Sequence, residues 1–336
     1  MKLLFFLKHQ KYKNSRPLYY SKAIFRELYP DFFCTLNLKS KLRTIAQFDK
    51  TYILDRVNYY NKLEKSDHQL EFLPKLSEFK IPANRRVYYF DNYEYTRYFS
   101  KKLRAAFLPG DVIHIPDFPT IVKSRPVLGQ NENSVILKIE KVRHFFFVDD
   151  KKPFTEKFDM LVGRGAVRQP HRKRFLEMYF NHPLCNVGMV NKDNVNDQWI
   201  VNMMTIDEQL EYKFILSLEG NDVATNLKWI MSSNSLAVMP CPKYETWFME
   251  GRLIPNYHYV SIKDDYSDLE EQLKYYIEYP EKALEIVKHA NEYVSQFLHK
   301  KREDLISLMV LDKYFKNTGQ YELRSITDNI LNKTSR

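Results

Sequence analysis

An α/β fold organised around a parallel sheet is what this sequence predicts, and three observations carry it. From residue 159 onward, short apolar runs of strand type alternate with helical stretches, the pattern of a parallel sheet covered on both faces. The chain has 336 residues, which at ~100–200 residues per domain suggests two domains. Hydrophobic residues make up 44% and charged residues 28%, a balance that supplies a core and excludes long disorder. Glycine is scarce, with 8 in all. That excludes collagen-like and glycine-repeat architectures and leaves few places for a backbone phosphate cradle.

In chain order, residues 1–50 are basic and aromatic, with a helical stretch over 21–28. TYILDRVNYYNKLE (51–64) admits either strand or helix. RVYYF (86–90) is a compact β-type run, followed by a helix through 93–103. GDVIHIPDFP (110–119) reads as a strand closing in a turn, because two prolines bracket Asp117. SVILKI (134–139) and HFFFVDD (144–150) read as strands, and the charged, proline-containing KKPF (151–154) as the linker between domains. Beyond it, DMLVGRG (159–165) is a buried-type strand and turn. A helix follows with Pro170 in its first turn, where a missing N–H costs nothing. YKFILSLEG (212–220), SLAVMP (235–240) and HYVSI (258–262) supply further strands. Helices fall around Leu227, Ile230 and Met231, over 268–279, and in the two stretches PEKALEIVKHANEYVSQFLH and KREDLISLMVLDKYFK. The expected domains are 1–152 and 153–315, with a C-terminal tail or helix over 316–336.

Open α/β sheets bind ligands beyond the carboxyl ends of their strands, so the polar residues that follow strands are the candidates. VGRGAVRQPHR (162–172) carries the closely spaced pair Gly163 and Gly165 and sets Arg164, Arg168, His171 and Arg172 at a strand-to-helix turn. A helix N-terminus offers unpaired N–H groups, and arginine offers a fork for phosphate; the competing reading is an exposed basic helix start. SLEGNDVATNLKW (217–229) gathers Glu219, Gly220, Asn221 and Asp222 before Asn226 and Lys228. Its carboxylate suits sugar hydroxyls and its lysine suits phosphate, while Asn221 or Asp222 serves equally as a helix cap. Asp117, pinned between prolines, suits a general base, with plain turn chemistry as the rival.

Net charge is 52 − 42 = +10, compatible with a phosphorylated substrate, an anionic membrane surface, nucleic acid, or a merely solvated basic face. No nucleic-acid-binding module is recognisable. Cys34, Cys185 and Cys241 lie far apart and form neither a disulfide framework nor a zinc pattern, which fits a reducing compartment. No DxD triplet is present to hold a nucleotide-bound metal, and His144 and His258 read as packed histidines. The apolar run before Lys8 is five residues long, short of the ~7–15 of a secretory segment. The expectation is a cytoplasmic protein.

Taken in order, the RG turn with its following arginines, EGND…NLKW…SNSLAVM, ETWF…LIPNYHYV and DDYSDLEEQL resemble glycosyltransferase family 90. The resemblance covers about residues 110–315 and is closest to the branch that modifies bacterial lipopolysaccharide. It implies a GT-B arrangement of two Rossmann-like domains facing across a cleft. The implied chemistry is inverting and metal-independent, moving sugar from a UDP-sugar to a lipopolysaccharide or lipooligosaccharide core. It makes Asp117 the catalytic base, places Arg164, Gly165 and Arg172 in the donor-phosphate loop with Arg168 beside them, and places Glu219, Gly220, Asn221, Asn226 and Lys228 in a second donor loop. No metal or other cofactor is implied. Animal members carry Ser and Arg where this chain has Ala166 and Asn226. Those two departures motivate a rival reading, a catalytically inactive sugar-binding relative; a basic nucleic-acid-binding α/β protein is a further rival. The basic N-terminus suits peripheral contact with the anionic inner leaflet.

Overall fold

A computed structural model describes residues 11–12, 14–65, 70–191, 197–320 and 327. The first ten residues of the basic N-terminus and most of the expected 316–336 tail lie outside the described residues. The chain forms two compact units. One comprises Arg16–Val142, Tyr244–Met249 and the chain from His299 onward; the other comprises the chain up to Ser15, Arg143–Lys243 and Glu250–Leu298. The sequence reading took each domain as continuous with a change at 152/153. By contacts the change falls at Val142/Arg143, and three segments contribute to each unit.

The first unit opens with helices Arg16–Leu28, Asp31–Arg43, Lys50–Tyr60 and Arg86–Thr96. Asp49 resolves the ambiguity over 51–64 in favour of helix, because its carboxylate accepts from the N–H groups of Thr51 (2.8 Å) and Tyr52 (3.3 Å). Residues 86–90 are the start of a helix, correcting the expected strand. Tyr88, Asn92 and Tyr95 fall on one helical face and are buried, so tertiary packing overrides the β preference of the aromatic run. A small parallel sheet follows, with strands β1 (Ala106–Leu108), β2 (Thr120–Val122) and β3 (Ser134–Ile136) side by side in that order. Residues 110–119, expected as a strand, are the irregular link from β1 to β2. Prolines 116 and 119 have no N–H for a ladder, and the Val112 N–H goes to Ser124 Oγ (3.1 Å).

Helix Lys300–Asn317 completes this unit's core. The side chains of Arg56 and Glu303 are 0% and 1% exposed and pair at 3.0 Å. Trp247 Nε1 donates to the same carboxylate at 2.6 Å, and Tyr60 stacks on Trp247 with ring centroids 3.9 Å apart. Arg125 and Glu245, equally enclosed, pair at 2.7 Å. Thus Tyr244–Met249 is held here by one buried ion pair and one buried indole.

Two acids of helix Arg86–Thr96 contribute to this unit's response to pH in opposite senses. Burial by itself would raise Glu94, but Lys141 and Arg26, each 2.7 Å away, outweigh it and hold the carboxyl at about 2. Burial pushes Asp91 up to about 6 against the pull of Lys141. Between pH 4.5, the ordinary Glu value, and about 2, the unfolded chain binds the Glu94 proton and the folded chain does not. Acidification through that window is therefore expected to remove stability on the order of 3 kcal/mol. Asp91 acts in the opposite sense, its contribution falling as pH rises from 3.8 through 6. Thermal melts between pH 5 and 2 check this: Glu94→Gln should flatten the acid loss relative to the parent chain, and an unchanged acid slope in that variant would refute the assignment.

The second unit is built on a five-stranded parallel sheet. Its strands are β4 (Phe158–Gly165), β5 (Cys185–Met189), β6 (Tyr212–Leu216), β7 (Leu236–Met239) and β8 (Val260–Ser261), in the spatial order β5-β4-β6-β7-β8. Leu161 lies opposite Cys185 on one side and Phe214 on the other, and Val162 opposite Asn186 and Ile215. Leu161, Val162, Phe214, Ile215 and Val238 are fully buried, as strands covered on both faces require. Helices Pro170–Tyr179, Leu269–Glu278 and Pro280–Ser295 contribute Phe175, Leu176, Leu273 and Ile286 to the same core. Residues 144–150 are not the expected strand. Lys141–His144 is a short helix, and beyond it the Val148 N–H bonds Ser232 Oγ while Asp150 takes Lys157 and Asn234. Side chains thereby satisfy groups that a ladder would otherwise pair.

The chain enters this sheet at β4, moves outward to β5, then crosses back to β6 on the other flank of β4. Strand order reverses there, and β4 and β6 open a crevice at their carboxyl ends.

Candidate functional site

The turns that leave β4 and β6 are tied together at that crevice. After Gly165 the chain turns through 166–169 into helix Pro170–Tyr179, whose first residue is the expected proline. Within the first turn of that helix, Arg172 reaches back across the crevice. Its Nη1 donates to the Ala166 carbonyl (2.8 Å), while Nη2 and Nε donate to the carbonyls of Leu218 (2.7 Å) and Glu219 (2.9 Å). A single guanidinium thus spans both turns. Burial lowers its pKa, yet it stays charged at any physiological pH. His171 Nε2 lies 2.9 Å from the Glu219 carbonyl. A carbonyl only accepts, so Nε2 carries the proton and Nδ1 keeps its lone pair. Burial also lowers the His171 pKa, keeping the ring neutral at pH 7.

Further ties follow. Gln169 Nε2 donates to Asn221 Oδ1 (3.0 Å), Glu219 Oε1 accepts the Lys243 N–H (3.0 Å), and Asn226 Nδ2 donates to the Leu216 carbonyl (2.9 Å). Gly165 and Gly220 flank the Arg172 guanidinium, and an added Cβ would stand 3.9 and 3.6 Å from it. Packing alone would tolerate a side chain at both; glycine leaves the main chain bare for close approach. Two buried polar atoms at these turns, Gln169 Oε1 and Asn191 Nδ2, have no hydrogen-bond partner among the described residues. Asn191 is fixed beside the β4 turn by the Val167 N–H (2.8 Å). An unpaired buried polar atom costs about 1–3 kcal/mol, a cost that a polar ligand in the crevice would offset.

Of the residues singled out in the sequence, the structure brings Gly165, Arg172, His171, Glu219, Gly220, Asn221 and Asn226 together. Arg168 is exposed on the β4 turn. Arg164 is engaged elsewhere, its Nη2 on Asn186 Oδ1 (2.7 Å) and its Nε on the Asn202 carbonyl (3.1 Å). Lys228, expected as a phosphate partner, is fully enclosed and pairs with buried Glu250 at 3.0 Å. The short helix Leu227–Met231 is buried at every position, and the second residue of such a helix points inward. Its N-cap is Asn226, not Asn221 or Asp222. Sequence reading passed over Gln169 and Asn191; glutamine just before a helix-starting proline was the one available signal for the first.

Asp117 belongs to the other unit. Its side chain is exposed and makes no hydrogen bond or ion pair with any described residue. The backbone around it is held: the Pro116 carbonyl accepts from Asn133 Nδ2 (3.1 Å), the Phe118 carbonyl from Thr120 Oγ1 (2.9 Å), and the Pro119 carbonyl from Tyr314 Oη (3.0 Å). Such a carboxylate is fixed in place yet uncommitted. Among the described residues no three His, Cys, Asp or Glu side chains gather as a metal-ligand set.

Comparison with known proteins gives a consistent result. The family model described as glycosyl transferase family 90 matches residues 141–321. O-glucosyltransferase LpsA of Dichelobacter nodosus is 47% identical over 265 residues, which span 78% of this chain and 82% of that protein. Protein O-glucosyltransferase 3 of Homo sapiens is 31% identical over 167 residues, 48% of this chain and 32% of that protein.

Proposed function

This chain belongs to glycosyltransferase family 90 and is a glycosyltransferase, and from that premise we propose that it moves a sugar from a UDP-sugar to a lipopolysaccharide or lipooligosaccharide core with inversion and without a metal. The observation that carries the donor assignment is the reversal of strand order at β4, beneath a crevice rimmed by Gly165, Gly220 and the Pro170 helix start. Diphosphate there meets a helix N-terminus and the exposed Arg168, with Arg172 locking both turns from below and adding its charge at short range. Glu219 and Asn221 offer groups for ribose or sugar hydroxyls.

The division of labour follows the GT-B pattern, with the donor on the β4–β8 unit and Asp117 supplied by the other. Asp117 takes the proton of an acceptor hydroxyl, the oxygen forms a bond to the anomeric carbon, and the bond from that carbon to the diphosphate breaks. UDP departs with the electron pair. Preorganised positive charge at the leaving group takes the role that a metal plays elsewhere. A glucosyl donor is favoured by the name of the 47% identical relative, and the acceptor places the enzyme at the cytoplasmic face of the membrane.

Calorimetry with UDP-glucose in EDTA tests the assignment. Saturable binding is expected in the absence of free metal, and Gly220→Leu, which fills the crevice, should weaken it at least tenfold. Undiminished affinity in that variant moves the donor away from this crevice. Binding that appears only after magnesium or manganese is added overturns the metal-free reading.

A further inference from the structure

Helices Arg16–Leu28 and Asp31–Arg43 present an apolar surface that is left exposed. Helix Asp31–Arg43 buries Cys34, Leu38 and Leu42, the i, i+4, i+8 face that packs inward. Its opposite side is also apolar: Phe32 is 66% and Leu36 63% exposed. Helix Arg16–Leu28 repeats the arrangement, with Ala23 buried and Phe25 and Leu28 exposed at 68% and 77%. Pro30 turns the chain sharply between them, and Tyr29 packs on Phe33 at the corner, ring centroids 5.6 Å apart. Exposed apolar side chains are normal singly, but a contiguous cluster of this kind marks a docking surface.

Charge identifies the occupant. Across residues 16–43 the exposed ionic side chains are Arg16, Lys22, Lys39, Lys41 and Arg43. The only two acids of the stretch, Glu27 and Asp31, are half-buried, and Asp31 pairs with Arg97 (3.0 Å) and Lys101 (2.6 Å). We propose that this corner docks the enzyme peripherally on an anionic lipid bilayer, the aromatic tip entering the interface and the five cations resting on acidic headgroups. A second copy of the chain fits poorly, since pairing two such surfaces would bring like charges together. No helix among the described residues is long and apolar enough to cross a membrane. None of this depends on the donor site.

Flotation of the full chain with vesicles of phosphatidylcholine alone, or of phosphatidylcholine and phosphatidylglycerol at 7:3, tests it. Binding is expected to the anionic vesicles and to weaken as salt rises. Phe25→Ser/Leu28→Ser/Phe32→Ser should lower vesicle affinity at least tenfold, and Lys39→Glu/Lys41→Glu should do so for anionic vesicles. Both variants change exposed positions, so circular dichroism and UDP binding should match the parent chain. Equal binding to neutral and anionic vesicles, binding unaffected by either variant, or absence of binding overturns the proposal. A doubled mass in light scattering that the triple variant abolishes would make the corner a self-interface instead.

Discussion

Asp117→Asn is expected to lower turnover by ~10²–10⁴, the usual contribution of a general base, while leaving UDP-sugar affinity unchanged. The substitution keeps the side chain's shape and removes its capacity to take a proton. Three carbonyls beside position 117 are tied by Asn133, Thr120 and Tyr314, and the side chain itself has no partner to lose among the described residues, so the variant should fold as the parent does. The crevice proposed for the donor belongs to the other compact unit, which is why donor binding should stay. The paired measurement is turnover with a lipooligosaccharide acceptor and calorimetry with the donor. Parental turnover in the folded variant would remove Asp117 from the mechanism. Joint loss of turnover and donor binding would reassign it to holding the donor.

Glu303→Ala is expected to destabilise the unit that carries Asp117 by about 3–5 kcal/mol, the usual cost of removing one partner of a buried ion pair. Its carboxylate accepts from Arg56 Nη1 (3.2 Å) and Nη2 (3.0 Å) and from Trp247 Nε1 (2.6 Å). Truncation strands a guanidinium and an indole N–H in the interior. Urea titration should show the loss in one transition, because two units need not unfold together. Hydrogen exchange would place it in helix Lys300–Asn317. Glu303→Gln, which keeps the volume and one of the two acceptor oxygens, should cost less than alanine. A loss below 1 kcal/mol for alanine would mean the pair is not what holds this core.

The central strands of the second unit were legible because a strand buried on both faces must be apolar throughout, and LAVM or the LV of β4 can hardly be anything else. Its helix starts were legible too: Pro170 and Pro280 stand at first-turn positions, as their missing N–H requires. Rotation about a helix axis was not. Lys228 looked like a phosphate partner by position along the chain, but only packing decides that it turns inward to Glu250. Arg172 was found as a site residue, yet its partners Leu218 and Glu219 lie 46 and 47 residues downstream, a distance at which residue patterns say nothing of contact. The run at 86–90 misled for a related reason. Aromatic residues favour strands only because strands half-bury them, and a helix packed against Ala23 and its neighbours provides the same burial.

The interleaving of the two units has a consequence for synthesis on the ribosome. The unit that begins at Arg16 takes Glu245 and Trp247 from the middle of the chain and a core helix from Lys300–Asn317. When residue 142 emerges, Arg56 and Arg125 have been made and neither buried acid partner has. Vectorial folding, N-terminal part first, is therefore closed to this protein: the β4–β8 unit can close its sheet once residue 261 is out, while the earlier-made unit waits for helix Lys300–Asn317. Nascent chains arrested before residue 300 should bind nucleotide sugar yet leave their N-terminal half open to protease and to holding chaperones. A premature stop within helix Lys300–Asn317 would cost the enzyme the unit that was translated first.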